Sequence, residues 1–393
     1  MLQPSKIITR NVWILSLVSL FTDVASEMLY PIMPVYLKSI GFSIVLIGVL
    51  EGFAEAIAGL SKGYFGNLSD QRGRRVPFVQ IGYSLSAISK PMMAVFSYPM
   101  WIFFARTTDR LGKGIRTGAR DALLSDEATP ETKGRVFGFH RSLDSIGAVI
   151  GPLLALVFLQ FYPGDYKTLF LLAFLPGLLA IVFTVLIREK RKAPAEGVVK
   201  PGFLDFLGYW KRSPAQYRQL TRALLVFALF NSSDVFLLLQ LKAAGLSDSV
   251  VIGMYIFYNL VYAASSYPLG ILADRLGMKR VFVLGLFLFA IVYAGMAFAT
   301  ALPAFAALFF LYGLYAAATE GVAKAWLTNL CEKKDTATAI GTYTAFQSIG
   351  ALMASSLAGV IWYSMGAPAV FLLSACAATA VASYVWFLKN FEK

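Results

Sequence analysis

Gly66-Asn67-Leu68-Ser69-Asp70-Gln71-Arg72-Gly73-Arg74-Arg75 reads as a short basic turn between two apolar runs. It returns as Gly270-Ile271-Leu272-Ala273-Asp274-Arg275-Leu276-Gly277-Met278-Lys279-Arg280. The glycines that open the two copies stand 204 residues apart, about half of the 393-residue chain. Glycine, leucine, aspartate and a second glycine keep the same spacing in each copy. A membrane chain made of two equivalent halves forms its pathway where the halves meet. The duplication therefore points to transport before any single site is considered.

The apolar runs around the two loops set the fold class. Hydrophobic residues make up 58% of the chain and charged residues 15%, far more apolar than an ordinary soluble domain. Apolar runs of about 18 residues or more read as membrane-spanning helices. About twelve such runs are present, roughly 12–37, 43–65, 76–96, 98–119, 136–161, 167–187, 219–241, 248–270, 280–299, 303–325, 338–361 and 368–388. They are too long for barrel strands and show no alternation of period two. The expected fold is all-α integral membrane, with twelve transmembrane helices in two six-helix pseudo-symmetric bundles.

The net charge of +13 follows from this topology. With an even number of spans and both termini inside, the inner loops collect Arg72, Arg74, Arg75, Lys133, Arg188, Lys190, Arg191, Lys192, Lys211, Arg212, Arg218, Lys279, Arg280, Lys333 and Lys334. The outer loops hold little more than Lys38, Lys167 and Lys242. That is the positive-inside bias, so no nucleic-acid partner is inferred. Only Cys331, Cys376 and a single histidine, His140, are present. A disulfide framework, a cysteine metal cluster and a multi-histidine metal site are excluded, and no metal or cofactor is expected. The first apolar run is too long and too polar in its middle for a cleavable signal. No Gly-x-x-x-x-Gly-Lys-Ser/Thr loop occurs, so ATP is not the expected energy source. A membrane-embedded lipid-modifying enzyme is the competing class. It would need a nucleophile elbow or a metal cluster, and the chain offers neither.

The least hydrophobic long stretch, 188–217, contains Pro194, Pro201 and Pro214. It divides the chain into a bundle over 1–187, a cytoplasmic linker, and a bundle over 218–393. Within the linker, Phe203-Leu204-Asp205-Phe206-Leu207 and Tyr209-Trp210-Lys211 suit a short amphipathic helix at a membrane surface. The repeat extends beyond the loops. Phe21-Thr22-Asp23-Val24 matches Ser232-Ser233-Asp234-Val235. At the 204-residue spacing Arg116 falls on Glu320, Arg120 on Lys324, Glu51 on Tyr255 and Glu55 on Asn259.

Twelve spans, a central linker and this repeated loop together resemble the major facilitator superfamily. The resemblance covers nearly the whole chain and identifies the loops as that family's helix 2–3 and helix 8–9 gating motif. Gly66, Asp70, Gly73, Arg74 and Arg75 carry it in one half, and Gly270, Asp274, Gly277 and Lys279 in the other. Gly147-x-x-x-Gly151-Pro152 in span 5 is similar to the glycine–proline motif of the family's antiporters. The same residues also suit a Gly-x-x-x-Gly packing face. Span 4 departs from the drug-exporter pattern of one deep arginine, because Arg106, Asp109, Arg110, Lys113, Arg116, Arg120 and Asp121 crowd it with charge. In the family, helices 1 and 4 line the central cavity and helix 2 flanks it.

Charges within the bilayer cost about 2.5–3.5 kcal/mol each on insertion scales, and so face a cavity or a partner. Asp23 and Glu27 share one face of span 1 by their i, i+4 spacing, as do Glu51 and Glu55 in span 2. Arg106, Asp109, Lys113, Arg116 and Arg120 fall within about an 80° arc of span 4. The candidates for substrate binding and proton coupling are Asp23, Glu27, Glu55, Arg106, Asp109 and Asp234, with Arg106 expected to partner Asp23 and Glu27. Asp144 is expected to pair with Arg110 or Arg141. For the gate, Asp70 is expected near the start of span 11, with Arg74 or Arg75 reaching Asp121. Glu320 and Lys324 form an i, i+4 pair low in span 10. Trp13, Tyr30, Tyr36, Tyr255, Tyr258, Tyr312 and Tyr315 are candidate cavity aromatics.

The resulting expectation is a monomeric secondary transporter in a bacterial inner membrane, with both termini cytoplasmic. It would work by alternating access and export a small anionic, zwitterionic or amphiphilic organic solute in exchange for protons. An uptake symporter or facilitator is the alternative.

Overall fold

Polar residues at the edges of the apolar runs set where the helices begin. Thr9 precedes α1 (Arg10–Glu27), and its Oγ1 accepts from Val12 N at 3.3 Å. A threonine in that position satisfies a donor that the helix start leaves open. Asp165 does the same for α6 (Tyr166–Val185), accepting from Thr168 N at 3.2 Å. Proline opens α4 (Pro99–Asp126), where a missing N–H costs nothing. The remaining helices are α2 (Ile44–Gln71), α3 (Val76–Val95), α5 (Lys133–Phe161), α7 (Ala215–Ala228), α8 (Val235–Ala243), α9 (Asp248–Leu276), α10 (Met278–Met296), α11 (Leu302–Asn329), α12 (Thr336–Met365) and α13 (Ala367–Phe387).

The computed structural model describes residues 7–30, 32–33, 36–37, 40–42, 44–189 and 202–388, with backbone alone at 44–53, 55–56 and 248–249. The side chains of Glu51 and Glu55, the prolines Pro31 and Pro34, and the linker residues 190–201 lie outside that description. No strand occurs among the described residues. Seven of the described helical segments are long and apolar enough to cross a membrane. In their described residues the twelve expected runs fall on helix, and two of them are broken.

The first broken run holds α1. Its i→i−4 bonding resumes past the break, at Met33 N to Leu29 O (2.9 Å) and Tyr36 N to Ile32 O (2.9 Å). The second is split into α7 and α8 around Asn231-Ser232-Ser233-Asp234. Asparagine, serine and aspartate side chains offer the backbone alternatives to helical bonding. Here Ser233 N donates to Ser355 Oγ at 3.3 Å instead of continuing the ladder.

The chain divides into two compact units. One takes Met1–Glu127, Leu143–Arg212 and Glu332–Ala345, and the other Ala128–Ser142, Ser213–Cys331 and Phe346–Lys393. In the first unit α2 and α3 pack along α4, and α6 packs against α1 and α3. In the second α9 and α10 pack along α11, and α13 packs against α10. The same pairing serves both. Each unit also takes the opening turns of a long helix whose remainder belongs to the other: α12 in the first unit, α5 in the second. The described part of the linker forms two short helical turns, Asp205–Gly208 and Tyr209–Arg212. Phe206 and Tyr209 are buried there while Phe203, Leu204 and Leu207 stay exposed, which is the amphipathic division expected.

Candidate functional site

The repeated loop does the same structural work twice. Its first glycine lets two helices cross at main-chain distance. A Cβ on Gly66 would lie 2.4 Å from Ala337 O, and one on Gly270 would lie 2.3 Å from Gly134 O. Its aspartate then caps the helix that has been brought close. Asp70 Oδ2 accepts from Thr338 N at 2.7 Å and from Thr338 Oγ1 at 2.9 Å, in the first turn of α12. Asp274 accepts from Gly134 N at 2.7 Å and Arg135 N at 3.0 Å, in the first turn of α5. A negative charge at a helix start is favoured by both the open N–H groups and the helix dipole. The second glycine of each loop makes the turn, with φ of +61° at Gly73 and +94° at Gly277.

Arg75 completes the first loop. It donates to Asp70 Oδ1 at 2.9 Å and also pairs with Asp126. The expected contact of Arg74 or Arg75 with Asp121 is corrected on both sides. Arg74 is exposed, and Asp121 pairs with its own neighbour Arg120 at 2.8 Å. The loop is short, so Arg75 stands level with the last residue of α4, not with one more than a turn inside it. Glu189 was not anticipated. Its carboxylate accepts from Arg75 N and Val76 N and caps α3. Burial pushes the Asp70 carboxyl up to about 6, against the pull of Arg75 and Thr338 in the other direction.

Within the membrane the first unit gathers acids. Asp23 shares a hydrogen bond with Asp144 of α5, with Glu27 close by, and Lys113 is the cation whose charge reaches it. Ser19 Oγ donates to Asp144. Two carboxyl groups can share a hydrogen bond only when a proton lies between them. The glycine–proline motif seats α5 on this face of α1. A Cβ on Gly147 would fall 2.5 Å from Leu20 O and 2.9 Å from Asp23 Cβ, and one on Gly151 would fall 2.8 Å from Val24 O and 2.9 Å from Glu27 Cβ. Pro152 follows within the same helix.

Arg106 and Asp109 belong to a different group. Asp109 accepts from Lys90 Nζ at 2.9 Å in a buried ion pair between α3 and α4, with Arg106 and Arg110 adjacent. Below it, Arg116 donates to Ser86 and stacks over the Tyr83 ring at 4.5 Å. Sequence reasoning missed Lys90, although a lone lysine in an apolar run was the available signal. Of the expected coupling residues, the structure brings Asp23 and Glu27 together with Asp144. The charge of Lys113 also reaches Asp23.

In the second unit Asp234 accepts from Tyr312 OH at 2.6 Å and Tyr258 OH at 3.1 Å. Asn231 Nδ2 donates to Tyr315 OH at 3.1 Å. Glu320 pairs with Arg141, whose guanidinium also meets Tyr262. Lys324 is half-buried on the same helix as Glu320. Lys279 donates to Leu388 O at 2.6 Å, tying its loop to the end of α13. Four of the expected cavity aromatics, Tyr255, Tyr258, Tyr312 and Tyr315, do come together. Trp13 and Tyr30 are about half exposed, and Tyr36 packs on Tyr166 and Phe170.

Long apolar helices in two units of like packing, each with a loop that caps the start of a long helix, define a helical membrane transporter. The chain belongs to the Major Facilitator Superfamily, whose sequence profile matches residues 15–257 and again 223–392. An uncharacterized MFS-type transporter of Methanocaldococcus jannaschii is 30% identical over 361 residues, covering 90% of this chain and 89% of that protein. A multi-drug resistance efflux pump PmrA homolog of Lactococcus lactis subsp. lactis is 22% identical, covering 98% and 95%. The crystal structure of the human organic anion transporter MFSD10 (TETRAN) superposes with a TM-score of 0.84 at 17% identity, covering 98% of this chain and all of that one. The protein is a multi-pass membrane transporter of small molecules and not an enzyme.

Proposed function

We propose that this transporter exports a small organic solute in exchange for protons, by alternating access between two pseudo-symmetric halves, 1–187 and 218–393, joined by the linker 188–217. The observation that carries the proposal is the hydrogen bond between Asp23 and Asp144 in the membrane interior. A carboxyl pair of this kind takes up and gives up one proton as its surroundings change. Glu27 and Lys113 adjust its charge, and the Gly147–Gly151 face holds α5 at the distance that keeps the pair together. The likeness to a named efflux pump supports the outward direction. The lysine and arginine distribution supports cytoplasmic termini in a bacterial inner membrane, and the chain is taken to act as a monomer.

The two loops are proposed as inner gates. Asp70 and Asp274 hold helix starts by hydrogen bonds that water would replace on opening. Arg75, Asp126 and Glu189 strengthen the first gate. Glu320, which pairs with Arg141, and Lys324 on the same helix belong to the second.

The test is solute flux in proteoliposomes with and without an imposed pH gradient. Asp23→Asn and Asp144→Asn should each abolish accumulation driven by the gradient while downhill exchange continues. Accumulation in both single mutants and in the double mutant would place the proton site elsewhere.

A further inference from the structure

Asp234 stands immediately before α8, where an aspartate ordinarily accepts from the helix's own first N–H groups. It makes no such cap. Its two oxygens turn instead to the phenols of Tyr312 and Tyr258. Among the described residues no lysine or arginine pairs with it. A carboxylate in mid-membrane is costly and elsewhere meets a counter-charge, as Asp109 meets Lys90. At Asp234 two phenols stand where a counter-charge would be, which leaves the carboxyl open to a cation from outside.

The surroundings say what kind. The rings of Tyr258 and Tyr312 lie 5.1 Å apart between centroids, and those of Tyr312 and Tyr315 5.3 Å apart. Asn231 donates to Tyr315, while its Oδ1 is buried with no partner. Asp234 itself remains part-exposed amid side chains that are almost wholly buried. A carboxylate held by phenols and framed by their rings, beside an unused amide oxygen, is the chemistry that recognises an alkylammonium group. The charge meets the carboxylate, and the polarised N–CH edges meet the ring faces. A proton alone would need no such ring cluster.

We propose that Asp234, Tyr258 and Tyr312, backed by Asn231 and Tyr315, bind the ammonium group of an organic cation or zwitterion. The inference names the solute class for the export function proposed above and rests on it.

The test uses the purified full chain in detergent with benzyltrimethylammonium as probe and benzoate as the matched anion, followed by titration calorimetry. The wild-type protein should bind the cation. Asp234→Asn should weaken that binding by about tenfold or more, and Tyr312→Leu by about fivefold. Tyr312→Phe, which keeps the ring and loses one hydrogen bond, should cost about threefold at most. Benzoate binding should not depend on Asp234. Should Asp234→Asn fail to purify as a single species, Tyr312→Leu and Tyr258→Leu decide the matter. No binding of the probe by the wild type, or equal binding by the wild type and these variants, overturns the site. Asp234-dependent binding in a protein without pH-driven flux would support this site and refute proton coupling. Flux driven by pH, with probe binding indifferent to Asp234, would do the reverse.

Discussion

An aspartate occupies the matched position in both halves, Asp23 in α1 and Asp234 before α8, and the two halves surround it in opposite ways. Around Asp23 stand ionisable groups: Asp144, Glu27 and Lys113. Around Asp234 stand the phenols of Tyr312 and Tyr258, with the charge of Glu320 also reaching it. The difference continues outward. The buried pair Lys90–Asp109 of the first half falls, at the 204-residue spacing, on Ala294 and Gly313 in the second. Duplication supplied one scaffold twice. Divergence then left carboxyl groups around one aspartate and phenols with π faces around the other.

The buried pair gives the hardest blow to that contrast. Lys90→Met leaves Asp109 ionised without its partner and should destabilise the protein by about 3–5 kcal/mol, read as a lowered thermal midpoint in detergent. Lys90→Met with Asp109→Leu should recover most of the loss. A single mutant as stable as wild type would mean that the first half does not depend on its charges.

Next comes the seam beneath Asp23. Gly147→Val pushes a side chain into Leu20 O and Asp23, and overpacking of this kind should cost about 1–3 kcal/mol and abolish pH-driven flux. The second half offers the control. A Cβ on Gly359 would meet nothing within 4 Å, so Gly359→Ala should cost less than about 0.5 kcal/mol. Equal losses at the two glycines would erase that distinction.

A smaller effect is expected from Ser19→Ala, which removes the donor to Asp144. The loss of one hydrogen bond, about 1 kcal/mol, should move the pH midpoint of transport while leaving maximal flux nearly intact. An unmoved midpoint would detach Ser19 from the proton site.

A pH-dependent effect concerns the first loop. The Asp70 carboxyl titrates near 6 when buried, against 3.8 when hydrated. The buried arrangement therefore binds the proton better. Its contribution to stability is fully present below about pH 3.8 and is lost as pH rises through about 6. The thermal midpoint of the wild type, compared with that of Asp70→Asn, should fall between those values and then level off. A flat difference would mean that Asp70 is hydrated.

The helices and their duplication were legible because membrane burial demands long apolar runs, and because the loop motif recurs with its spacing intact. The cap on α12 was legible from Asp70 for the same reason: a helix start attracts an acid. Partner choice was not. Asp126 rather than Asp121 meets Arg75. Depth along a helix places a residue to within a turn, whereas an ion pair forms or fails over a few ångströms. Lys90 escaped notice because no periodic pattern marks it, only its isolation among apolar neighbours. The break at Asn231–Asp234 interrupts an apolar run that hydropathy alone reads as continuous.

Asp70 and Asp274 hold main-chain N–H groups at Thr338, Gly134 and Arg135, a kind of donor that every amino acid but one supplies. The main-chain part of each cap thus survives most changes at positions 135 and 338, which give up only the Thr338 hydroxyl bond and the Arg135 ion pair. Related chains can drift there in charge, size and polarity and still keep the main-chain cap. Proline alone deletes the donor, and its absence from those two positions across distant relatives would be the mark this latch leaves on evolution.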